Sequence, residues 1–84
     1  MKEDRILIEF YRDRSGPARE LDVPADLSAQ DLVRALNEVY RLGMDPANPR
    51  EFFLQGEEPI ALIRGKHTLK ELGLHDASRV YRAL

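Results

Sequence analysis

Apolar and polar positions alternate along Arg5 to Arg12, which reads R-I-L-I-E-F-Y-R. Ile6, Ile8 and Phe10 share one face at a period of two, the mark of a half-buried strand, and Leu7 and Tyr11 share the other. Asp13 to Pro17 is a polar loop, with Ser15, Gly16 and Pro17 as its turn chemistry. Ala18 to Val23 is expected as a second strand with Leu21 and Val23 inward, and the short connection makes an antiparallel hairpin the natural pairing. Pro24 ends that strand because it has no N–H for the ladder.

The period then changes to that of a helix. Ser28 can cap the exposed N–H groups of a first turn, and Asp31 suits the positive end of the helix. Leu27 and Leu32 form a hydrophobic staple across the cap. Ala29, Leu32, Leu36, Val39 and Tyr40 lie on one stripe, with polar residues over the rest. Gly43 supplies a left-handed C-terminal cap, so the helix is expected over Ala29 to Leu42.

Two prolines make Asp45 to Pro49 a loop. Glu51 to Gln55, with Phe52, Phe53 and Leu54, is expected as a third strand. Gly56 to Pro59 is a turn and Ile60 to Ile63 a fourth strand. After a turn at Gly65, Thr68 and Glu71 form a T-x-x-E capping pattern that starts one helical turn. Gly73 stops that turn, Leu74 points inward, and Arg79 to Leu84 is the fifth strand. Val80 belongs inside. Alternation would place Arg82 on the same face, so Arg82 either snorkels out at the sheet edge or a bulge resets the register.

Strands, one long helix and strands again form an α+β pattern: a mixed five-stranded sheet packed on that helix, with a short one-turn helix late in the chain. The expected core is Ile6, Ile8, Leu21, Val23, Leu32, Leu36, Val39, Leu54, Leu69 and Val80.

Length and composition narrow the function. At 84 residues the chain is a single domain, residues 1–84. It buries only roughly 60–65% of its unfolded surface, which leaves no room for a deep cleft. It contains no cysteine, excluding disulfides and thiol chemistry. The first five residues are charged with both signs, unlike a signal peptide, and no apolar run reaches membrane-spanning length. A net charge of −2 argues against nucleic acid as the main partner. The charge is uneven: residues 60–84 carry Arg64, Lys66, Lys70, Arg79 and Arg82 against Glu71 and Asp76.

No residue pattern carries catalytic chemistry. His67 and His75 sit in turns without a partner at metal spacing, and read as solvated. The pairs Glu3-Asp4 and Glu57-Glu58 sit in equally wet settings, whereas acid–base pairs need environments that separate their pKa values. Ser15, Ser28 and Ser78 lack a histidine base, and Gly56 and Gly65 are isolated turn glycines rather than a phosphate cradle. No enzyme activity, metal or cofactor is expected.

Surface remains. One helix covers one face of a single sheet, so the opposite face is open. Leu7, Tyr11, one of Phe52 and Phe53, and Tyr81 are its apolar and aromatic candidates. Leu7, Tyr11, Arg79 and Tyr81 are therefore expected to anchor a protein partner, and Arg64, Lys66 and Lys70 to form a basic rim.

The closing stretch P-I-A-L-I-R-G-K-H-T-L-K-E-L-G-L-H-D-A-S resembles the end of the ubiquitin fold, the β-grasp. Together with Ile6-Leu7-Ile8, Leu21-Asp22-Val23-Pro24, the helix segment L-N-E-V-Y and N-P-R-E-F-F-L, it looks like the YukD/EsaB family of small bacterial ubiquitin-like proteins. That resemblance implies a β-grasp with first and last strands parallel at the sheet centre. It also implies a cytoplasmic, non-conjugated adaptor of type VII (Esx, WXG100) secretion. Such an adaptor acts by binding protein partners, including membrane-embedded secretion components, without itself entering the membrane, as a monomer or weak homodimer. Two other classes stay open: a ubiquitin-like regulatory subunit of an enzyme complex, and a modifier or sulfur carrier. The second is disfavoured because the chain ends at Arg82-Ala83-Leu84 rather than Gly-Gly.

Overall fold

The computed structural model describes residues 4–13, 15–58 and 60–82. Five strands and one helix follow in the order β1 (Arg5–Tyr11), β2 (Arg19–Pro24), α1 (Ala29–Val39), β3 (Leu54–Glu57), β4 (Ile60–Ile63) and β5 (Arg79–Tyr81). The sheet order is β2-β1-β5-β3-β4. β1 and β2 form the expected hairpin, in register from Arg5 opposite Pro24 to Phe10 opposite Arg19. β5 lies at the centre, parallel to β1 and antiparallel to β3. First and last strands are thus parallel neighbours, as expected.

Alternation along β1 works as read: Ile8 and Phe10 are fully buried against α1, and Ile6 packs at the margin of the core. Leu21 and Val23 of β2 are also marginal, because β2 is an edge strand. Leu32, Val33, Leu36, Leu54, Ile63, Leu69 and Val80 fill the centre.

The start of α1 follows the sequence. Ser28 Oγ accepts from the Asp31 N–H at 3.2 Å. The Ala29 and Gln30 N–H groups donate to the His67 and Gly65 carbonyls at 2.7 and 2.8 Å, so the orphan donors of the first turn are satisfied by the 65–67 segment.

Its end corrects the sequence reading. The helix stops at Val39, not Leu42. The left-handed residue of the cap is Arg41, at φ 52°, rather than Gly43, although Gly43 is itself at φ 72°. The Leu42 N–H donates to the Asn37 carbonyl at 3.0 Å, the long bond of a Schellman cap, and Leu42 turns into the core. Val39, expected inside, is 71% exposed, while Val33 is fully buried. At 3.6 residues per turn, Val39 lies about 80° from the midline of the stripe formed by Ala29, Leu32, Val33, Leu36 and Tyr40. Tyr40 takes the inward place, its ring 5.1 Å from that of Phe10.

β3 starts at Leu54, three residues later than expected. Residues 45–52 fold instead into successive turns. The Glu51 carboxylate accepts from the Asp45 N–H at 2.8 Å, and the Glu51 and Phe52 N–H groups both donate to the Asn48 carbonyl. Phe52 is half-buried and packs against the core, so it does not belong to the open sheet face, and Phe53, also half-buried, immediately precedes β3.

The expected one-turn helix is a capped turn. Thr68 N–H donates to Glu71 Oε1 and Glu71 N–H to Thr68 Oγ1, the reciprocal bonds of the T-x-x-E reading. Residues 69–73 nevertheless carry a single i→i−4 bond, from Leu72 N–H to the Thr68 carbonyl, before Gly73 at φ 86° ends the turn.

β5 is short. Its register with β1 runs unbroken to Tyr81, and the Arg82 N–H then donates to the Tyr11 carbonyl at 3.2 Å. Of the two alternatives for Arg82, the position at the end of the sheet holds and no bulge resets the strand. The expected continuation to Leu84, Glu3 of the first acidic pair and Pro59 of the β3–β4 turn lie outside the described residues.

Candidate protein-interaction surface

Strand registers fix which side chains share the face opposite α1. Glu9 pairs with Arg79, Tyr11 with Tyr81, Tyr81 with Gln55, Gln55 with Leu62, and Glu57 with Ile60. Directly opposed residues of a sheet point to the same side. The outer face therefore carries Leu7, Glu9 and Tyr11 on β1, Arg79 and Tyr81 on β5, Gln55 and Glu57 on β3, and Ile60 and Leu62 on β4.

At its centre five side chains close a ring. The Tyr11 and Tyr81 rings stack at 5.1 Å and 25°. Tyr81 Oη donates to Glu57 Oε2 at 2.6 Å, and Arg79 Nη1 donates to Glu57 Oε1 at 3.1 Å. Arg79 Nε lies 4.0 Å from Glu9 Oε1, which accepts from Tyr11 Oη at 3.3 Å. The bond to Glu57 raises the Arg79 guanidinium above its ordinary value, reinforced by the neighbouring Tyr11. The same carboxylate raises the Tyr81 phenol, since it accepts the phenolic proton and its charge opposes a phenolate. The Tyr81 phenol is thus held protonated as a donor.

Toward β4 the surface beside this ring turns apolar, while on the β2 side it carries the exposed Glu20 and Asp22, opposite Glu9 and Leu7. Leu7 is 41% exposed, Leu62 48% and Ile60 86%. Beside them Gln55, Gly56, Glu57, Ile60 and Tyr81 line a shallow depression of ≈ 210 Å³.

The structure brings Leu7, Tyr11, Arg79 and Tyr81 together on one face as expected from the sequence, but not in the expected state. Tyr81 is only 8% exposed, beneath its neighbours rather than free to enter a partner. Tyr81→Ala is therefore expected to lower the melting temperature, because it removes a largely buried ring. The basic rim divides. Lys70 Nζ sits 3.6 Å from Asp4 Oδ2. Arg64 and Lys66 lie beside the start of α1, along a different groove.

Glu57 was read from the sequence as a solvated turn residue, yet it organises the ring. Ile60 and Leu62 went unassigned because I-A-L-I is apolar at every position, leaving no alternation to read; only the pairing of β4 with β3 resolves them. Among the described residues no group of three His, Asp or Glu is placed to hold a metal ion, and no helix is long and apolar enough to cross a membrane.

No family model and no curated protein matches the chain. Among solved structures, it is similar to a ubiquitin-like domain from tubulin-binding cofactor B in solution, at TM-score 0.67 and 22% identity, covering 95% of this chain and 89% of that one. The fold is therefore a ubiquitin-like β-grasp: a mixed five-stranded sheet with one helix across it.

Proposed function

We propose, on the premise of a ubiquitin-like fold, that this domain is a non-enzymatic protein-interaction module that docks through the sheet face opposite α1. The observation that carries the reading is the composition of that face. A fixed aromatic and charged centre is bordered by Leu7, Ile60 and Leu62, three of the four large apolar residues exposed among the described residues. Rigid aromatics with a polar handle, bordered by exposed aliphatics, suit a partner because little side-chain entropy is lost on docking. The long extents of the molecule, 36 and 27 Å, accommodate the roughly 800 Å² that one side of a standard interface contributes.

The finer reading is a cytoplasmic accessory of type VII secretion. Its support is the sequence resemblance to the YukD/EsaB family, above all the closing segment from Ile60 to Ser78. The partner is then the cytoplasmic part of the secretion ATPase or another component of that apparatus. Titration calorimetry of the domain against that ATPase region and against WXG100 proteins from the same host tests it. Saturable binding that Leu62→Asp abolishes supports both readings. Binding to neither, with Leu62→Asp still blocking some other protein partner, removes the secretion role and leaves the interaction module.

A further inference from the structure

A second surface feature lies off the sheet face. An open groove of ≈ 570 Å³ runs beside the start of α1, lined by Gln30, Pro46, Pro49, Phe52 and the segment from Arg64 to His67. Its floor is apolar: Phe52 packs against the core from below, and two prolines hold the loop beside it with little conformational freedom to lose. Its wall is basic. The segment 65–67 is fixed there by the bonds from the Ala29 and Gln30 N–H groups. Those bonds also occupy the first donors of α1, so the positive character of the groove comes from side chains and not from the helix end.

Arg64 and Lys66, like Arg12, Arg19, Arg41, Arg50 and Arg82, are not among the cations paired with a carboxylate within the described residues. Arg5, Arg34, Lys70 and Arg79 all have a carboxylate within 4.0 Å. Among the described residues Arg64 and Lys66 have neither an ion pair nor a side-chain hydrogen bond, and no carboxylate lines the groove. An apolar floor beside two unpaired cations is complementary to a chain that alternates apolar and acidic side chains.

We propose that this groove docks an acidic linear segment of a partner protein. An apolar or aromatic side chain rests on Phe52 and the prolines, and flanking carboxylates meet Arg64 and Lys66. A nucleic acid fits less well, since a phosphate backbone engages a longer row of cations than these two and the chain carries a net charge of −2. The site stands on its own observations and does not depend on binding at the sheet face.

The test is an amide NMR titration of the ¹⁵N-labelled domain with an acetylated dodecapeptide of glutamates interleaved with leucine and phenylalanine, and with the same peptide carrying lysine for glutamate. The acidic peptide is expected to shift Gln30, Phe52 and Arg64 to His67, and the lysine peptide to leave them in place. Arg64→Glu combined with Lys66→Glu should weaken the acidic peptide at least about tenfold, with the melting temperature unchanged because both side chains are exposed. Tyr11→Phe, on the sheet face, should leave the titration as it was. Three results overturn the proposal. The acidic peptide leaves these amides unmoved, or oligothymidylate or inorganic phosphate moves them equally. The third is that they shift with protein concentration alone, which makes a second copy the occupant.

Discussion

Leu36→Ala and Val39→Ala separate the structure from the sequence pattern most sharply. Both residues sit on α1, three positions apart, and periodicity assigns both to the core. In the structure Leu36 is 5% exposed inside the main apolar cluster, and Val39 is 71% exposed. Truncating Leu36 removes three methylene equivalents at ~0.8 kcal/mol each, or ~2.4 kcal/mol of transfer free energy. The cavity adds to this because the sheet beneath relaxes only in part, giving a total of about 2–5 kcal/mol. A domain of this size has a total stability of roughly 4–13 kcal/mol, so the variant should lose a large fraction of it. Val39→Ala deletes side-chain atoms already in water and should stay within about 0.5 kcal/mol of the parent. Urea melts followed by circular dichroism at 222 nm read both, with the m-value checked for constancy. Equal losses at the two positions, or less than ~0.5 kcal/mol for Leu36→Ala, would refute the placement of α1 on the sheet.

Arg41 holds a left-handed backbone that glycine adopts without strain, so Arg41→Gly should raise stability by about 0.5–1 kcal/mol in the same melts. Glu71 is held below the ordinary glutamate value, first by the Thr68 backbone N–H and then by its hydroxyl. With the folded value depressed, its contribution is present above the unfolded value and is lost as pH falls through the folded one. Glu71→Gln should therefore flatten the loss of stability on the acid side of about pH 4.5, as seen in melts across pH. For Tyr81 the folded value is raised, so its contribution is complete below the unfolded phenol value and is lost as pH rises through the folded one. Absorbance titration at 295 nm should show a phenol ionising later than free tyrosine, and Glu57→Gln should bring it back toward the ordinary range.

The features legible in the sequence are those with local causes. The alternation of Ile6, Ile8 and Phe10, the Ser28 cap and the Thr68–Glu71 reciprocal bonds are each written within a few neighbouring residues, and each stands in the structure. The misreadings share a different cause. Gly43 looked like the cap by composition, but the chain reverses at Arg41 because Leu42 gains a buried place there. Glu51 to Phe53 looked like part of a strand by propensity, yet bonds to Asn48 and Glu51 hold residues 45–52 in turns and β3 starts only at Leu54. The same division applies to the surface. Leu7, Tyr11, Arg79 and Tyr81 could be gathered from alternation and the β-grasp resemblance. Glu57 joins Tyr81 across 24 positions of sequence, and Ile60 and Leu62 take their side only from pairing with β3. Arg64 and Lys66 were legible as a cluster of charge, but the groove they border depends on loop 45–52, whose turns are set by side-chain bonds that spacing does not encode.

The central claim is that partners meet the sheet face opposite α1, and amide NMR of the ¹⁵N-labelled domain bound to its partner tests it most directly. The largest shifts and strongest broadening are expected at Leu7, Tyr11, Gln55, Ile60, Leu62 and Tyr81, with Ile60→Asp abolishing them while the free domain keeps its melting temperature. Perturbation centred on Arg34, Glu38 and Arg41, with the sheet-face amides unmoved, would place the interface on the helix and contradict the claim.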